Sequence, residues 1–486
     1  MYKCFCCRST GYVREIYGIC LSNISRCSNP LHIGIPGDLR DMLGDFRLSC
    51  PEKSYMRKNR GNVFFYQYIL YLCSTILTLI DMKQKLSQLF DKHSARDIFS
   101  AASVFASVSE SVLMFNENNV TANPDNIDWE AEKQDILERA NWLVKTIVVD
   151  DPETLVNKAP SMIGREYQGE WAIYCCSMLS HALANISYLY PEKKDKCPGL
   201  IAKMIELVNT PIIREYDTMQ WKEDAMETLN GPKSHMTYLS ILAWMISNYK
   251  LAGGDNRYDD LYHTLCETLV RRMHESKYDL NLLSFPRKQI WLPDMLVTLV
   301  ALKNYSRFFD DKYADTIAAW VQNARTKWTH RNTGLLAGTL PGESRYQKGM
   351  RIRGSHTALI CSYLTMVDEQ LAREQYDKMC RVMRKEVTFM GKQVCGVVED
   401  LRKSPAFKPA PGDAGLIIKG LSAGGTAFAI GAATYFEDWE FRYQMLRTAE
   451  IAGGTKKQKG MRHYNISEIF LVGEATALAM RTNVKR

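Results

Sequence analysis

The sequence predicts an all-α protein, an (α/α)6 toroid of six inner and six outer helices over residues 130–486. Three observations lead there. From about residue 130 the chain reads as helix after helix with short breaks. A turn with acidic residues followed by a tyrosine recurs: Gly254-Asp255-Asn256-Arg257-Tyr258, then Asp310-Asp311-Lys312-Tyr313, with looser echoes in Asp368-Glu369 before Tyr376 and Glu437-Asp438 before Tyr443. The tyrosines stand 55, 63 and 67 residues apart, about the length of a helix pair with its loops. Finally, six segments are apolar with little charge beyond their first turn.

These six are Glu170 to Leu183, Met236 to Tyr249, Leu292 to Leu302, Ser355 to Met366, Gly425 to Tyr435 and Ile466 to Met480. A helix that is apolar nearly all round is buried all round. Six such helices alternating with amphipathic ones describe an inner and an outer ring. A Leu-rich bundle or a superhelical solenoid also uses helix pairs, but a solenoid asks for a more regular repeat than this.

The chain ahead of the rings divides at Met82. Residues 1–55 carry neither a helical nor a strand period and are rich in Cys, Gly, Pro and Ser. Met56-Arg57-Lys58-Asn59-Arg60 then precedes an apolar run at 63–80. Basic residues before about 18 apolar ones describe a signal anchor or marginal membrane span. Met82-Lys83-Gln84-Lys85 equally reads as an ordinary start, with 82–129 as a helical leader. Both readings stand at this point: a membrane-anchored chain if 63–80 is retained, a cytoplasmic one if translation begins at Met82. In either case the rings are expected to fold without residues 1–81.

Composition excludes several function classes. Hydrophobic residues make up 46% and charged residues 24% of 486, and the net charge of +8 is scattered. With no basic stripe interleaved with aromatics, a nucleic-acid partner is not expected. Cys4, Cys6, Cys7, Cys20, Cys27, Cys50 and Cys73 crowd the first 73 residues, but their spacing is not that of paired zinc knuckles, so no bound metal is expected. Cys175-Cys176 read as reduced core thiols. No HExxH, GxSxG or phosphate-loop pattern occurs.

The chemistry concentrates in the loops that lead into the inner helices, which a toroid gathers on one face. In order they carry Glu166, Glu170 and Trp171; Lys233 to His235, with Tyr238 one turn on; Trp291 to Asp294; Arg353 and His356; Asp413; and Arg462 to Asn465. Convergent polar groups on an aromatic lining define a default active site. His235, Asp294, Asp413 and Glu399 are the acid/base candidates. Adjacent carboxyls such as Glu399-Asp400 raise one another's pKa. Arg353, Glu170, Trp171, Trp291, Tyr238 and His356 are the candidates for holding substrate. Each also has a plainer reading: His235 and Asp294 as helix caps, Arg353 as partner of a structural carboxylate, Glu399-Asp400 as a solvated turn. Glu474, inside the last inner helix, is costly to bury unpaired and reads as the partner of an arginine.

At these segments the chain resembles the linalool dehydratase/isomerase-type domain. The likeness rests on His235-Met236-Thr237-Tyr238-Leu239, Gly253-Gly254-Asp255-Asn256-Arg257-Tyr258, Trp291-Leu292-Pro293-Asp294, Arg353-Gly354-Ser355, Gly412-Asp413 and Leu471-Val472-Gly473-Glu474-Ala475. It spans residues 160–486 at most. It implies an (α/α)6 barrel, no organic cofactor, and acid/base chemistry that adds or removes water at an alkenol. That family's characterised activity uses a pair of cleft cysteines; here Trp291 and Asp294 stand in the corresponding helix and no such pair does. The expected partner is a small-molecule substrate, and a homo-oligomer is compatible with the sequence. Two other readings use the same residues. One is a glycosidase, epimerase or uronate lyase with Trp171 and Trp291 as stacking platforms; the other is a helical scaffold or binding module holding a lipid or peptide. A narrow apolar pocket favours the alkenol reading, an open groove with two carboxyls about 5–10 Å apart the sugar reading, and a self-filled cleft the scaffold.

Overall fold

The computed structural model of the chain describes residues 107–486, apart from 122, 125–126, 160–167, 287–288, 342–349, 402–406, 410–414 and 469. All of these lie within the compact unit Arg96–Arg486. The 63–80 run, Met82, most of the 82–129 leader, Glu166 and Asp413 lie outside the described residues. Among the described residues, no helix is long and apolar enough to cross a membrane.

The fold is predominantly helical, with short antiparallel ribbons of two or three strands at helix ends. In chain order the helices are α1 Trp129–Ile147, α2 Pro152–Lys158, α3 Gln168–Leu189, α4 Cys197–Val208, α5 Pro211–Trp221, α6 Met236–Leu251 and α7 Asp259–Glu275. They continue with α8 Leu292–Tyr305, α9 Ala314–Lys327, α10 Gly354–Leu364, α11 Glu369–Met383, α12 Ala423–Tyr435, α13 Trp439–Gly453 and α14 Leu471–Arg481.

The acidic turns work mainly by capping. Asp128, Asp151, Asp368 and Asp438 accept backbone N–H groups of the first turns of α1, α2, α11 and α13, which satisfies donors that a helix start leaves orphaned. Asp255 serves its turn differently, accepting from the Tyr249 hydroxyl at 2.8 Å and the Arg257 backbone at 3.0 Å.

The apolar segments are the buried ones. Every residue from Met236 to Tyr249 in α6 is buried. These helices pack in a sequence that returns to its start: α3 on α6, α6 on α8, α8 on α10, α10 on α12, α12 on α14, and α14 on α3. Each also packs on an amphipathic partner: α4 and α5 against α3, α7 against α6, α9 against α8, α11 against α10, α13 against α12, and α1 against α14. The approaches are close. A Cβ on Gly425 of α12 would stand 3.0 Å from the Ser355 backbone nitrogen of α10, and one on Gly354 would meet the Val398 carbonyl oxygen at 2.0 Å.

The ribbons were not expected from the sequence. Strand β1 (Gln289–Trp291) pairs with β2 (Thr339–Pro341), ahead of α8 and α10. A hairpin of β3 (Arg384–Phe389) and β4 (Lys392–Val397) packs on α12 and α13. A three-stranded piece, β5 (Phe407–Pro409), β6 (Leu416–Ile418) and β7 (Leu421–Ser422), leads into α12, and β8 (Thr455–Gln458) with β9 (Met461–Tyr464) leads towards α14.

Candidate functional site

A cavity of about 780 Å³ lies in the described unit, and its wall is predominantly apolar. The starts of α3, α8, α10, α12 and α14 all contribute to it. Exposed Met219 and Lys222 at the end of α5, with Pro286 and Gln289, mark where it reaches the surface.

Asp294 is the chemical centre of one side. Pro293 and Asp294 open α8, and the β1–β2 ribbon fixes where that opening sits, since Gly338 accepts the Leu292 N–H at 3.1 Å. The carboxyl is 7% exposed. Its Oδ2 accepts from the Thr237 hydroxyl of α6 at 3.1 Å, and its Oδ1 lies 3.5 Å from the Tyr174 hydroxyl of α3. Burial pushes its pKa up from 3.8 to about 6, against the opposing pull of hydrogen bonds from Ser284 and Thr237. A carboxyl placed there gives and takes protons near neutrality. Burial, with the charge of Asp294 behind it, holds the Tyr174 phenol well above its ordinary range, so it stays a donor.

Glu170 and Trp171 line the same cavity from the first turn of α3, and Glu170 is buried. Tyr174 lies one helical turn beyond Glu170, on the same face. The Trp291 ring stands 4.9 Å from Phe285 and 5.2 Å from His356, centre to centre. His356 and Arg353 line the cavity at the start of α10. An Arg Nη1 lies 3.3 Å from His356 Nε2. The His356 Nδ1 lies 3.4 Å from the Thr339 hydroxyl.

Three sequence candidates sit elsewhere. His235 does not line the cavity: it takes a left-handed backbone (φ 44°) just before α6, and its ring is fully buried. Its Nδ1 is 2.5 Å from Asp217 and its Nε2 3.3 Å from Glu223, while the Trp221 ring stands 5.3 Å away, tilted by 45°. Tyr238 turns away as well, because successive helix positions point about 100° apart. Thr237 therefore meets Asp294, and the Tyr238 hydroxyl donates to the Val208 carbonyl at 3.2 Å. Glu399 is spent on structure: its Oε2 caps α10 at the Ser355 N–H (2.9 Å), and its Oε1 accepts from Arg353 Nε at 2.7 Å. Asp413 lies outside the described residues.

Glu474 also reaches the cavity wall, yet both its oxygens are engaged. Oε1 accepts from Arg139 at 2.8 Å and Oε2 from the Tyr464 N–H and Ser467 hydroxyl at 2.8 and 2.6 Å. Sequence reasoning missed Tyr174, Thr237 and Ser284. The helical spacing from Glu170 would have found Tyr174; nothing local points to the other two. Among the described residues, no group of three or more His, Cys, Asp and Glu side chains is placed to hold a metal ion. Comparison with known protein families and with curated proteins found no match.

The placement of His235 carries a prediction. His235→Ala strands a buried Asp217 carboxyl whose pKa burial already raises and the imidazole pulls back down. The expected cost is about 2–4 kcal/mol, seen as a lower denaturation midpoint. A variant within about 0.5 kcal/mol of the parent but without turnover would return His235 to the site.

Proposed function

We propose that the chain is a cofactor-independent lyase or isomerase acting on a hydroxylated alkene in the cleft of an (α/α)6 toroid. The return of the helix packing from α14 to α3, with an outer partner on each inner helix, supports the toroid. The observation that carries the chemistry is Asp294, a buried carboxyl with a pKa of about 6 facing a predominantly apolar cavity. The apolar wall favours an alkenol over a sugar, whose hydroxyls would need many more polar partners.

In the proposed reaction, protonated Asp294 gives its hydrogen to the substrate hydroxyl as the C–O bond breaks and water forms. The Tyr174 phenol donates to the same oxygen as it departs. Glu170 removes a proton from the carbon next to the cation, and that C–H electron pair becomes the new double bond. Water moves the proton from Glu170 back to Asp294, which closes the cycle. If instead the water adds back to the cation at its other allylic carbon before Glu170 acts, its extra proton returns to the Asp294 carboxylate, which gives the isomerase outcome.

The test is incubation with a panel of alkenols and, in parallel, uronate oligosaccharides, scored by mass for products lighter by one water. Dehydration of an alkenol that is lost in Asp294→Asn supports the reading. Cleavage of the uronates instead would replace it with the carbohydrate reading.

A further inference from the structure

The cavity has two unlike walls. Glu170, Tyr174, Asp294, Arg353 and His356 make the polar one. The other belongs to a second hydrophobic cluster, distinct from the main core, in which Val108, Val112, Val394, Leu421 and Ile451 are buried. Val394, Leu416, Ile418, Ile466 and Phe470 of that cluster line the cavity, with the fully paired Glu474 carboxyl beside them through Ser467. Beside them, α13 adds Ile451 to the same cluster, bonds Thr448 to the Cys395 backbone next to Val394, and turns Met445, Thr448, Ala449 and Ala452, spaced three, four and seven residues apart, to the cavity. The small residues Ala449 and Ala452 leave room there that larger ones would fill.

The volume is too large for a short alkenol. At roughly 30 Å³ for each water-sized group, 780 Å³ has room for about 26 of them, well over twice the non-hydrogen atoms of a monoterpene alcohol. Leaving that apolar space unfilled forfeits contacts along its whole wall.

We infer that the substrate is a long-chain alkenol, its hydroxyl at Asp294 and its hydrocarbon tail lying along the apolar wall that α13 and the second cluster form together. This rests on the proposed alkenol chemistry. The tail chamber sets chain-length preference, and Ala449 and Ala452 set its width.

Binding of prenol, geraniol, farnesol and geranylgeraniol to the full chain, measured by titration calorimetry, tests it without requiring turnover. Affinity should climb along the series by up to about fourfold per added methylene until the chamber is full, with farnesol or geranylgeraniol at least tenfold tighter than geraniol. Ala449→Phe should weaken the longest ligand tenfold or more and leave prenol within twofold, with Ala452→Leu giving a smaller change of the same kind. Melting curves identify any variant that fails to fold, and the series on the unchanged protein decides the matter in that case. Affinity that is flat beyond geraniol, or an Ala449→Phe effect equal for short and long ligands, would overturn the chain-length inference while leaving the alkenol chemistry standing. Failure of every member to bind would overturn both.

Discussion

Asp294→Asn is expected to abolish turnover and, at alkaline pH, to make the protein more stable. In the proposed dehydration, the first effect follows from removing the proton that the leaving hydroxyl needs. General acid catalysis contributes about 10²–10⁴-fold, and an amide at this position cannot supply it. In the unsubstituted protein the active form is protonated, so turnover should fall about tenfold per pH unit above the pKa of about 6.

The second effect comes from linkage. The Asp294 carboxyl ionises near 3.8 when exposed and near 6 in its buried position. Between those values the native protein binds the proton that the unfolded chain has released, so stability falls as pH rises across the window. Above pH 6 the accumulated cost is about 3 kcal/mol. An amide has no such charge to bury, so Asp294→Asn should recover much of that at pH 8 and almost nothing at pH 4. Denaturant midpoints at the two pH values check it. Equal midpoints for the two proteins at pH 8 would show that the carboxyl is solvated, and the acid assignment would fall with it.

How far the sequence reached follows from what kind of signal each part leaves. Five of the six apolar helices begin within two residues of where composition places them, because burial on all sides leaves a mark that needs no partner to read. The sixth, expected from Ile466, begins at Leu471, since Asn465–Glu468 closes into a 3-10 turn first. The loops ahead of these helices were the right place to look for the cavity lining, and Glu170, Trp171, Trp291, Asp294, Arg353 and His356 all lie on it. What the loops could not reveal was direction. The backbone at His235 turns its ring towards Asp217, and only the folded chain brings Thr237 to Asp294. The ribbons left a weaker mark. Met390-Gly391, Lys419-Gly420 and Lys459-Gly460 each have positive φ at both residues and link strands across two-residue turns, the backbone that a type I′ hairpin requires. The first residue of each pair is Met or Lys, not the Asn, Asp or Gly that usually marks such a turn, so the folded backbone and not the sequence reveals them.

Arg481→Leu should be the most damaging single change away from the cavity, with an expected loss of about 3–5 kcal/mol. Arg481 ends α14 and pairs with both Glu132 and Asp135 of α1. Glu132 also accepts from Arg442 at 2.5 Å, and Asp135 from Arg139 at 2.9 Å and Arg462 at 3.0 Å. Arg139 in turn holds Glu474. Glu132, Asp135, Arg139, Arg442, Glu474 and Arg481 are all buried, three acids against three bases, so removing one base leaves a carboxylate charge uncompensated inside the protein. The network joins a helix near the beginning of the described chain to the last one, which makes it the fastening of the two ends. Despite burial, the neighbouring arginines hold both Glu132 and Asp135 well below the usual carboxylate range. Their contribution is therefore complete above that range and is lost only as pH falls through it, the opposite limb to Asp294. Stability from these groups should peak where the two limbs meet, at about pH 4, and Arg481→Leu should erode the acid limb while leaving the alkaline one alone. The exposed pair Lys485–Glu369, a few residues away, is the control: Lys485→Met should leave the denaturation midpoint nearly unchanged. If the two substitutions cost the same, the buried network does not fasten the ends of the domain.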